Sequence, residues 1–160
     1  KTKKILYITG TNISKKKPIY FNYKNYPNMS IIEAIRISIS IPLVFNAYTF
    51  NNDIYVDGSV MDNYPIGIFK DKSKILGLYI ENKDLIKIDT IDNYIYSLIS
   101  CILRKDLLYY KDKYSNITVN IKVDNGYSGF DLNEKQKKEL YLLGYNTINN
   151  YYIKFYDRFK

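Results

Sequence analysis

Short apolar runs in the first third of the chain predict β-strands. Residues 4–9 form a nearly continuous apolar run that Gly10 closes, a pattern typical of a strand buried on both faces. Residues 18–21 predict a second strand after a polar loop. Residues 47–50 and 54–56 flank a polar turn, so they predict a β-hairpin whose second strand ends at Asp57.

Apolar residues at helical spacing predict two helices between and after these strands. Ser30 followed by Glu33 forms a capping-box pattern that opens a helix over residues 31–38, and Pro42 lies just beyond its end. A longer amphipathic pattern begins at Ile91 and reaches to about Tyr110.

Two further strands and a final helix complete the predicted architecture. Residues 75–80 form a buried apolar run, and residues 117–123 alternate in the manner of a half-exposed edge strand. Asp131 with Glu134 predicts the cap of a last helix. Strands interleaved with helices indicate an α/β layered fold with a largely parallel sheet.

Composition places this chain among globular proteins and leaves its charge open to two interpretations. Its 160 residues suit one domain or one compact half of a domain, with 46% hydrophobic and 25% charged residues. The net charge of +8 comes mainly from lysine and favours phospholipid head groups, nucleic acid or other anionic partners. A coding bias towards Lys, Asn, Ile and Tyr would give the same charge without any function.

The absence of histidine narrows the possible chemistry. No His-ligated metal, Ser–His pair or Cys–His pair can form within these residues, and no acidic cluster shows the spacing of metal ligands. The single cysteine, Cys101, excludes an internal disulfide and fits a reducing, cytoplasmic compartment. Its apolar neighbours predict a buried, inert thiol.

The dipeptide Asp57-Gly58 is the strongest candidate for a functional group. It places a carboxylate at the carboxyl end of a strand, where α/β proteins build their sites. Gly58 permits either a positive φ angle or the close approach of another backbone. A simple Asp-Gly turn explains an isolated dipeptide equally well.

The surrounding motifs resemble the patatin-like phospholipase family. Residues 36–42 read Arg-Ile-Ser-Ile-Ser-Ile-Pro and precede the strand that carries Asp57-Gly58-Ser59, and residues 63–65 then read Asn-Tyr-Pro. This order is similar to the family's helix, Asp-Gly motif and Asn-x-Pro turn, with Ser59 where the family usually has Gly or Ala. The resemblance extends over essentially the whole chain and implies a three-layer α/β/α sandwich.

The resemblance also implies a mechanism, of which these residues would supply only part. The family uses a Ser-Asp dyad, with serine in a Gly-x-Ser-x-Gly elbow and aspartate in the Asp-Gly motif. Asp57 would be the base that accepts the serine's proton, if partial burial raises its pKa towards the working pH. The elbow and the oxyanion loop are missing here, and Phe130 occupies the second glycine position of the elbow-like sequence around Ser128. Residues 1–160 would therefore be the C-terminal portion of the catalytic domain, inactive alone.

Three functions remain open on sequence grounds. The first is a lipid acyl hydrolase that acts on glycerolipid or phospholipid at a peripheral membrane surface, without a cofactor. The second is a degenerate, non-catalytic relative that binds a membrane or a partner. The third is a basic nucleic-acid-binding module, which no motif supports, so no nucleic-acid partner is expected. The lipid cleaved and the oligomeric state stay open.

Overall fold

The computed structural model describes residues 4–82, 88–123 and 132–154. The chain divides into two compact units, Lys1–Ile68 with Leu103–Leu107, and Phe69–Ile102 with Leu108–Lys160. The strands and helices are β1 (Ile8–Asn12), β2 (Lys17–Phe21), α1 (Ile31–Ser38), β3 (Tyr48–Phe50), β4 (Asp53–Asp57), β5 (Gly77–Asn82), α2 (Ile91–Lys113), β6 (Thr118–Val123) and α3 (Glu134–Lys154).

The first unit contains a four-stranded sheet in the order β2-β1-β4-β3, and all its pairings are antiparallel. Only β5 and β6, in the second unit, pair in parallel among the described strands. The prediction of a largely parallel sheet is therefore wrong for this part of the chain. A short turn joins β1 to β2 and another joins β3 to β4, and such turns force antiparallel pairing, whereas β5 and β6 are connected through a long helix.

A two-residue turn sets the register of the predicted hairpin. Asn51 and Asn52 have φ angles of 48° and 63°, which are the left-handed values of a type I′ turn that asparagine tolerates. The turn pairs Phe50 with Asp53. Four residues further along β4, Asp57 then lies opposite Gly10 of β1. The hairpin prediction, including the strand end at Asp57, is confirmed.

The first strand begins later than the sequence pattern indicates. β1 starts at Ile8, and Ile5, Leu6 and Tyr7 before it are exposed. β2 ends at Phe21, which pairs with Ile8. Because neither neighbouring strand extends further, residues before Ile8 have no strand with which to form backbone hydrogen bonds. The prediction of a strand buried over residues 4–9 is therefore wrong for its first half.

Helix α1 begins with the predicted capping box. The Ser30 hydroxyl accepts a hydrogen bond from the Glu33 N–H at 3.1 Å, and the Ser30 N–H donates to Glu33 Oε2 at 2.9 Å. The hydrogen bond from the Ser30 N–H to this carboxylate, together with one from the Ser30 hydroxyl at 2.9 Å, lowers the pKa of Glu33 below its usual value. The helix buries Ala34 and Ile37 in a core formed with the sheet.

Replacing the cap should weaken the first unit measurably. We expect Ser30→Ala to lower the free energy of unfolding by about 1 kcal/mol, since an N–H at the helix start loses its acceptor. Ser30→Thr keeps the hydroxyl and serves as the control. Urea denaturation followed by circular dichroism measures both, and equal midpoints for the two variants would contradict this role of the cap.

Lys15 and Asp53 form an ion pair at the end of the sheet opposite the Asp-Gly motif. Lys15 Nζ lies 2.5 Å from Asp53 Oδ2, which also accepts a hydrogen bond from Asn12 Nδ2 at 3.0 Å. The hydrogen bond from Lys15 is the main reason that the pKa of Asp53 is lowered from its usual value. The ionised carboxylate therefore stabilises the folded protein at pH values above the pKa of Asp53 in the unfolded chain, near 4. This stabilisation is lost as the pH falls through the lower pKa that Asp53 has in the folded protein.

The variant Asp53→Asn tests that pH dependence. We expect its melting temperature to fall less than that of the parent between pH 5 and pH 2, because an amide has no proton to gain in this range. Asp112→Asn, a change at an exposed carboxylate of α2, is the control and should follow the parent curve. A parent-like curve for Asp53→Asn would show that the ion pair adds no pH dependence.

The second unit is built on the parallel pair β5–β6. β6 buries Val119 and Val123 next to the buried Ile117, and α3 packs against this strand. β5 is less enclosed than predicted, since Leu78 and Ile80 are 53% and 65% exposed. The periodicity of an apolar run indicates a strand but does not reveal whether both of its faces are covered.

Helix ends in the second unit differ from the predictions in detail. α2 continues to Lys113, and Cys101 within it is exposed, so the predicted buried thiol is wrong. At α3 the cap is a reciprocal pair in which Asn133 Oδ1 accepts from the Gln136 N–H and Gln136 Oε1 accepts from the Asn133 N–H, both at 2.9 Å. The predicted cap Asp131 and the rejected serine Ser128 lie outside the described residues.

Candidate active site

Asp57 is the last residue of β4 and is held by main-chain contacts on both sides. Its N–H donates a hydrogen bond to the Ser40 carbonyl at 2.9 Å. Its Oδ1 accepts from the Ser59 N–H at 2.7 Å, so the half-buried carboxylate caps the short 3₁₀ turn Gly58–Val60. One carboxylate oxygen is therefore fixed by the backbone that follows the strand.

Gly58 is required by the close approach of β1. A Cβ atom at this position would lie 2.3 Å from Thr9 Oγ1, 2.5 Å from Thr9 Cβ and 2.7 Å from the Thr9 carbonyl carbon. The sequence left a positive φ and a close approach as alternatives, and the close approach explains the glycine. Because the crowding atoms include backbone, no side-chain rotation at Thr9 would make room for a methyl group.

The second oxygen of the Asp57 carboxylate has no hydrogen-bond partner among the residues that the structure describes. No serine hydroxyl in these ranges donates to this carboxylate either. The nearby Ser40 hydroxyl, two residues beyond the end of α1, donates instead to the Arg36 carbonyl at 2.7 Å. The arrangement offers an oriented proton acceptor, and the described part of the chain brings no nucleophile to it.

A second carboxylate follows the motif and was not singled out from the sequence. Asp62 Oδ2 accepts a hydrogen bond from the Tyr20 hydroxyl, and the Asp62 N–H donates to the Gly58 carbonyl at 3.0 Å. The next residues of the turn are anchored by the buried side chains of Tyr64 and Ile66. Tyr20 lies 42 positions before Asp62, so no local pattern could have indicated this pair, which fixes the turn after Gly58.

Neither a metal centre nor a membrane span is found in the described ranges. They contain no group of three or more Cys, Asp or Glu side chains placed to hold a metal ion. Within the same ranges, no helix is both long and apolar enough to cross a bilayer.

The region around the Asp57-Gly58-Ser59 motif is similar in sequence to a family of known proteins. The family model for patatin-like phospholipase matches residues 2–70. The probable lipid hydrolase 463L of Invertebrate iridescent virus 6 is 41% identical over 68 residues, which are 42% of this chain and 23% of that protein. Uncharacterized protein R571 of Acanthamoeba polyphaga mimivirus is 30% identical over 164 residues, covering 94% of this chain and 55% of the relative. The chain thus spans about half the length of R571 and less of 463L.

A solved structure extends the likeness in fold to most of the chain. VipD from Legionella pneumophila superimposes with a TM-score of 0.59 over 92% of this chain and 31% of the VipD chain, at 15% sequence identity. At that level of sequence identity, the superposition supports a shared α/β fold. The family match includes the helix α1, the strand β4 and the complete Asp57-Gly58-Ser59 motif. Over residues 2–70, the chain is therefore similar in sequence to the patatin-like phospholipase family.

Proposed function

We propose that this chain is part of a lipid acyl hydrolase in which Asp57 is the base of a Ser-Asp dyad. The observation that carries the proposal is the Asp57 carboxylate itself, which stands at the end of β4 with one oxygen fixed by the Ser59 N–H at 2.7 Å. Its other oxygen has no partner among the described residues. A base must be oriented and still able to receive a proton, and this geometry provides both.

The reaction would proceed through an acyl-serine intermediate. The serine oxygen attacks the ester carbonyl of a lipid while Asp57 takes the hydroxyl proton, and the carboxylic acid so formed returns that proton to the departing alcohol. Asp57 then accepts a proton from water as the water oxygen attacks the acyl-serine ester. When the fatty acid leaves, Asp57 returns this proton to the serine oxygen, which restores both the serine hydroxyl and the carboxylate. The serine belongs to polypeptide outside residues 1–160 and completes the site there.

The proposed substrate class is a glycerolipid or phospholipid presented at a membrane surface. The family is described as phospholipases, and the viral relative 463L is named a probable lipid hydrolase. The net charge of +8 would favour an anionic lipid surface. Within this proposal, residues 1–160 form the C-terminal portion of a three-layer α/β/α catalytic domain that meets the membrane peripherally.

Fatty-acid release from vesicles tests the proposal against the non-catalytic alternative. The complete polypeptide that contains residues 1–160 would be incubated with vesicles of phosphatidylcholine and phosphatidylglycerol, and free fatty acid would be measured over time. We expect release that a serine-directed fluorophosphonate abolishes. A folded protein that binds these vesicles but releases no fatty acid would instead be a non-catalytic member of the family.

A further inference from the structure

The chain leaves β4 at Asp57 and crosses one face of the sheet before it reaches Asp62. Gly58 lies so close to Thr9 of β1 that no Cβ atom would fit between them. Asp62 then lies beside Tyr20 of β2, whose hydroxyl donates to its Oδ2. Thr9 and Tyr20 are register partners in the pairing of β1 with β2, and directly opposed residues project from the same face of a sheet. The turn therefore extends from the end of β4 across β1 to β2.

Hydrogen bonds inside this turn connect its two ends. The Gly58 carbonyl accepts from the Met61 N–H at 3.2 Å and from the Asp62 N–H at 3.0 Å. In the same turn, the Ser59 N–H donates to Asp57 Oδ1 at 2.7 Å. The N–H group that orients the candidate base therefore belongs to a turn whose far end is Asp62.

The hydrogen bond from Tyr20 ties this far end of the turn to the sheet. Its acceptor is a carboxylate, and hydrogen bonds to an ionised acceptor are roughly twice as strong as those between neutral groups. Both side chains are half-buried, so the bond is electrostatically stronger than it would be in water. Tyr20 also belongs to a strand whose five residues all pair with β1. The turn is thus anchored to a part of the sheet that the backbone holds in place.

We propose that Tyr20 and Asp62 are positioning residues for the Asp57 base. The inference rests on the proposed function, because it assigns these residues a role in the reaction for which Asp57 would be the base. A base accepts a proton efficiently only when its oxygen is aligned with the attacking hydroxyl, and a displacement of about 1 Å can cost on the order of 10²-fold in rate. Without the tie to β2, the turn can move away from the sheet, and the Asp57 carboxylate moves with the Ser59 N–H that holds it.

Tyr20→Phe tests this role, because it removes the hydroxyl and keeps the ring. In the complete polypeptide, we expect kcat for a nitrophenyl ester to fall about tenfold or more while KM changes less than about twofold, since only the alignment of the base is altered. Tyr48→Phe is the matched control, because the Tyr48 hydroxyl donates to another carboxylate of the same unit, Glu33 Oε1, at 3.3 Å. Each variant loses one tyrosine–carboxylate bond, so both should lower the unfolding midpoint similarly, but only Tyr20→Phe should lower kcat. Equal kcat values for the two variants would overturn the proposal.

Substitutions at Asp62 test the other partner of the bond. Asp62→Ala leaves the Tyr20 hydroxyl without this acceptor, so it should lower kcat as much as Tyr20→Phe does, and the double variant should lose no more than either single variant. Asn keeps a carbonyl oxygen that can accept the same bond. We therefore expect Asp62→Asn to recover most of the kcat that Asp62→Ala loses. Equal losses in these two variants, or losses that add in the double variant, would contradict the positioning role.

Hydrogen exchange at the Ser59 N–H tests the anchor in the complete polypeptide without reference to turnover. We expect this amide to exchange about tenfold or more faster in Tyr20→Phe than in the parent or in Tyr48→Phe, since its bond to Asp57 opens more often. An unchanged exchange rate would show that Tyr20 does not hold the turn. The two hypotheses can fail separately. Parent activity in Asp57→Asn would remove the proposed base, whereas an inactive Asp57→Asn beside a fully active Tyr20→Phe would remove the positioning role alone.

Discussion

Asp57→Asn should abolish most ester hydrolysis by the complete polypeptide while leaving its fold intact. We expect kcat to fall by about 10²- to 10⁴-fold, because the serine loses the group that accepts its proton. Asparagine has nearly the same shape, and its carbonyl oxygen can still accept the Ser59 N–H that Asp57 Oδ1 now binds at 2.7 Å. The lost activity should therefore come without a change in the unfolding midpoint.

Asp71→Asn is the matched control for this experiment. Asp71 Oδ1 accepts from the Ser73 N–H two residues later at 2.9 Å, which repeats the local geometry of Asp57 and Ser59. Hydrolysis of a nitrophenyl ester and of phospholipid vesicles would be measured for both variants. We expect parent activity for Asp71→Asn. If Asp57→Asn also turned over ester at the parent rate, Asp57 would not be the base.

Gly58→Ala should cause the largest loss of stability among single methyl additions to this unit. The new Cβ would stand 2.3–2.7 Å from three atoms of Thr9, one of them the carbonyl carbon. Relief requires β1 and β4 to move apart, and overpacking of this kind costs about 1–3 kcal/mol. Since that movement also shifts Asp57, we expect hydrolysis to fall together with the free energy of unfolding.

A second glycine supplies the control for the added methyl group. A Cβ at Gly144 in α3 would meet no atom within 4 Å. Gly144→Ala should therefore stabilise the protein by about 1 kcal/mol through helix propensity alone. Urea denaturation would compare both variants with the parent. Equal stability of Gly58→Ala and Gly144→Ala would show that β1 does not constrain the Asp-Gly turn as the structure indicates.

Local signals in the sequence predicted those elements whose geometry is decided locally. The capping box of Ser30 and Glu33 fixes the start of α1, and the asparagine pair fixes the hairpin that ends at Asp57. The candidate dipeptide Asp57-Gly58 could be located at the end of a strand for the same reason, since a strand followed by Asp-Gly is a local pattern. The resemblance to the patatin-like phospholipase family was recognisable from short motifs in a fixed order, and the match of the family model over residues 2–70 confirms this resemblance.

Features that depend on partners distant in sequence were predicted less well. The pairing of β1 with β4, which joins the two hairpins into one antiparallel sheet, places Gly10 opposite the distant Asp57, so this sheet was missed. The late start of β1 depends on where its neighbours end, and the bond between Tyr20 and Asp62 joins residues 42 positions apart. The reason for Gly58 also lies across the sheet, in Thr9. In each case the deciding contact involves a residue that the local sequence does not indicate.

Labelling with a fluorophosphonate would test most directly whether Asp57 activates a serine. Such a reagent bonds covalently to a serine whose proton is being accepted by a base. In the complete polypeptide we expect one modified serine, outside residues 1–160, and labelling slower by about 10²-fold or more in Asp57→Asn. Modification of a serine within residues 1–160, or an unchanged labelling rate in Asp57→Asn, would contradict the account.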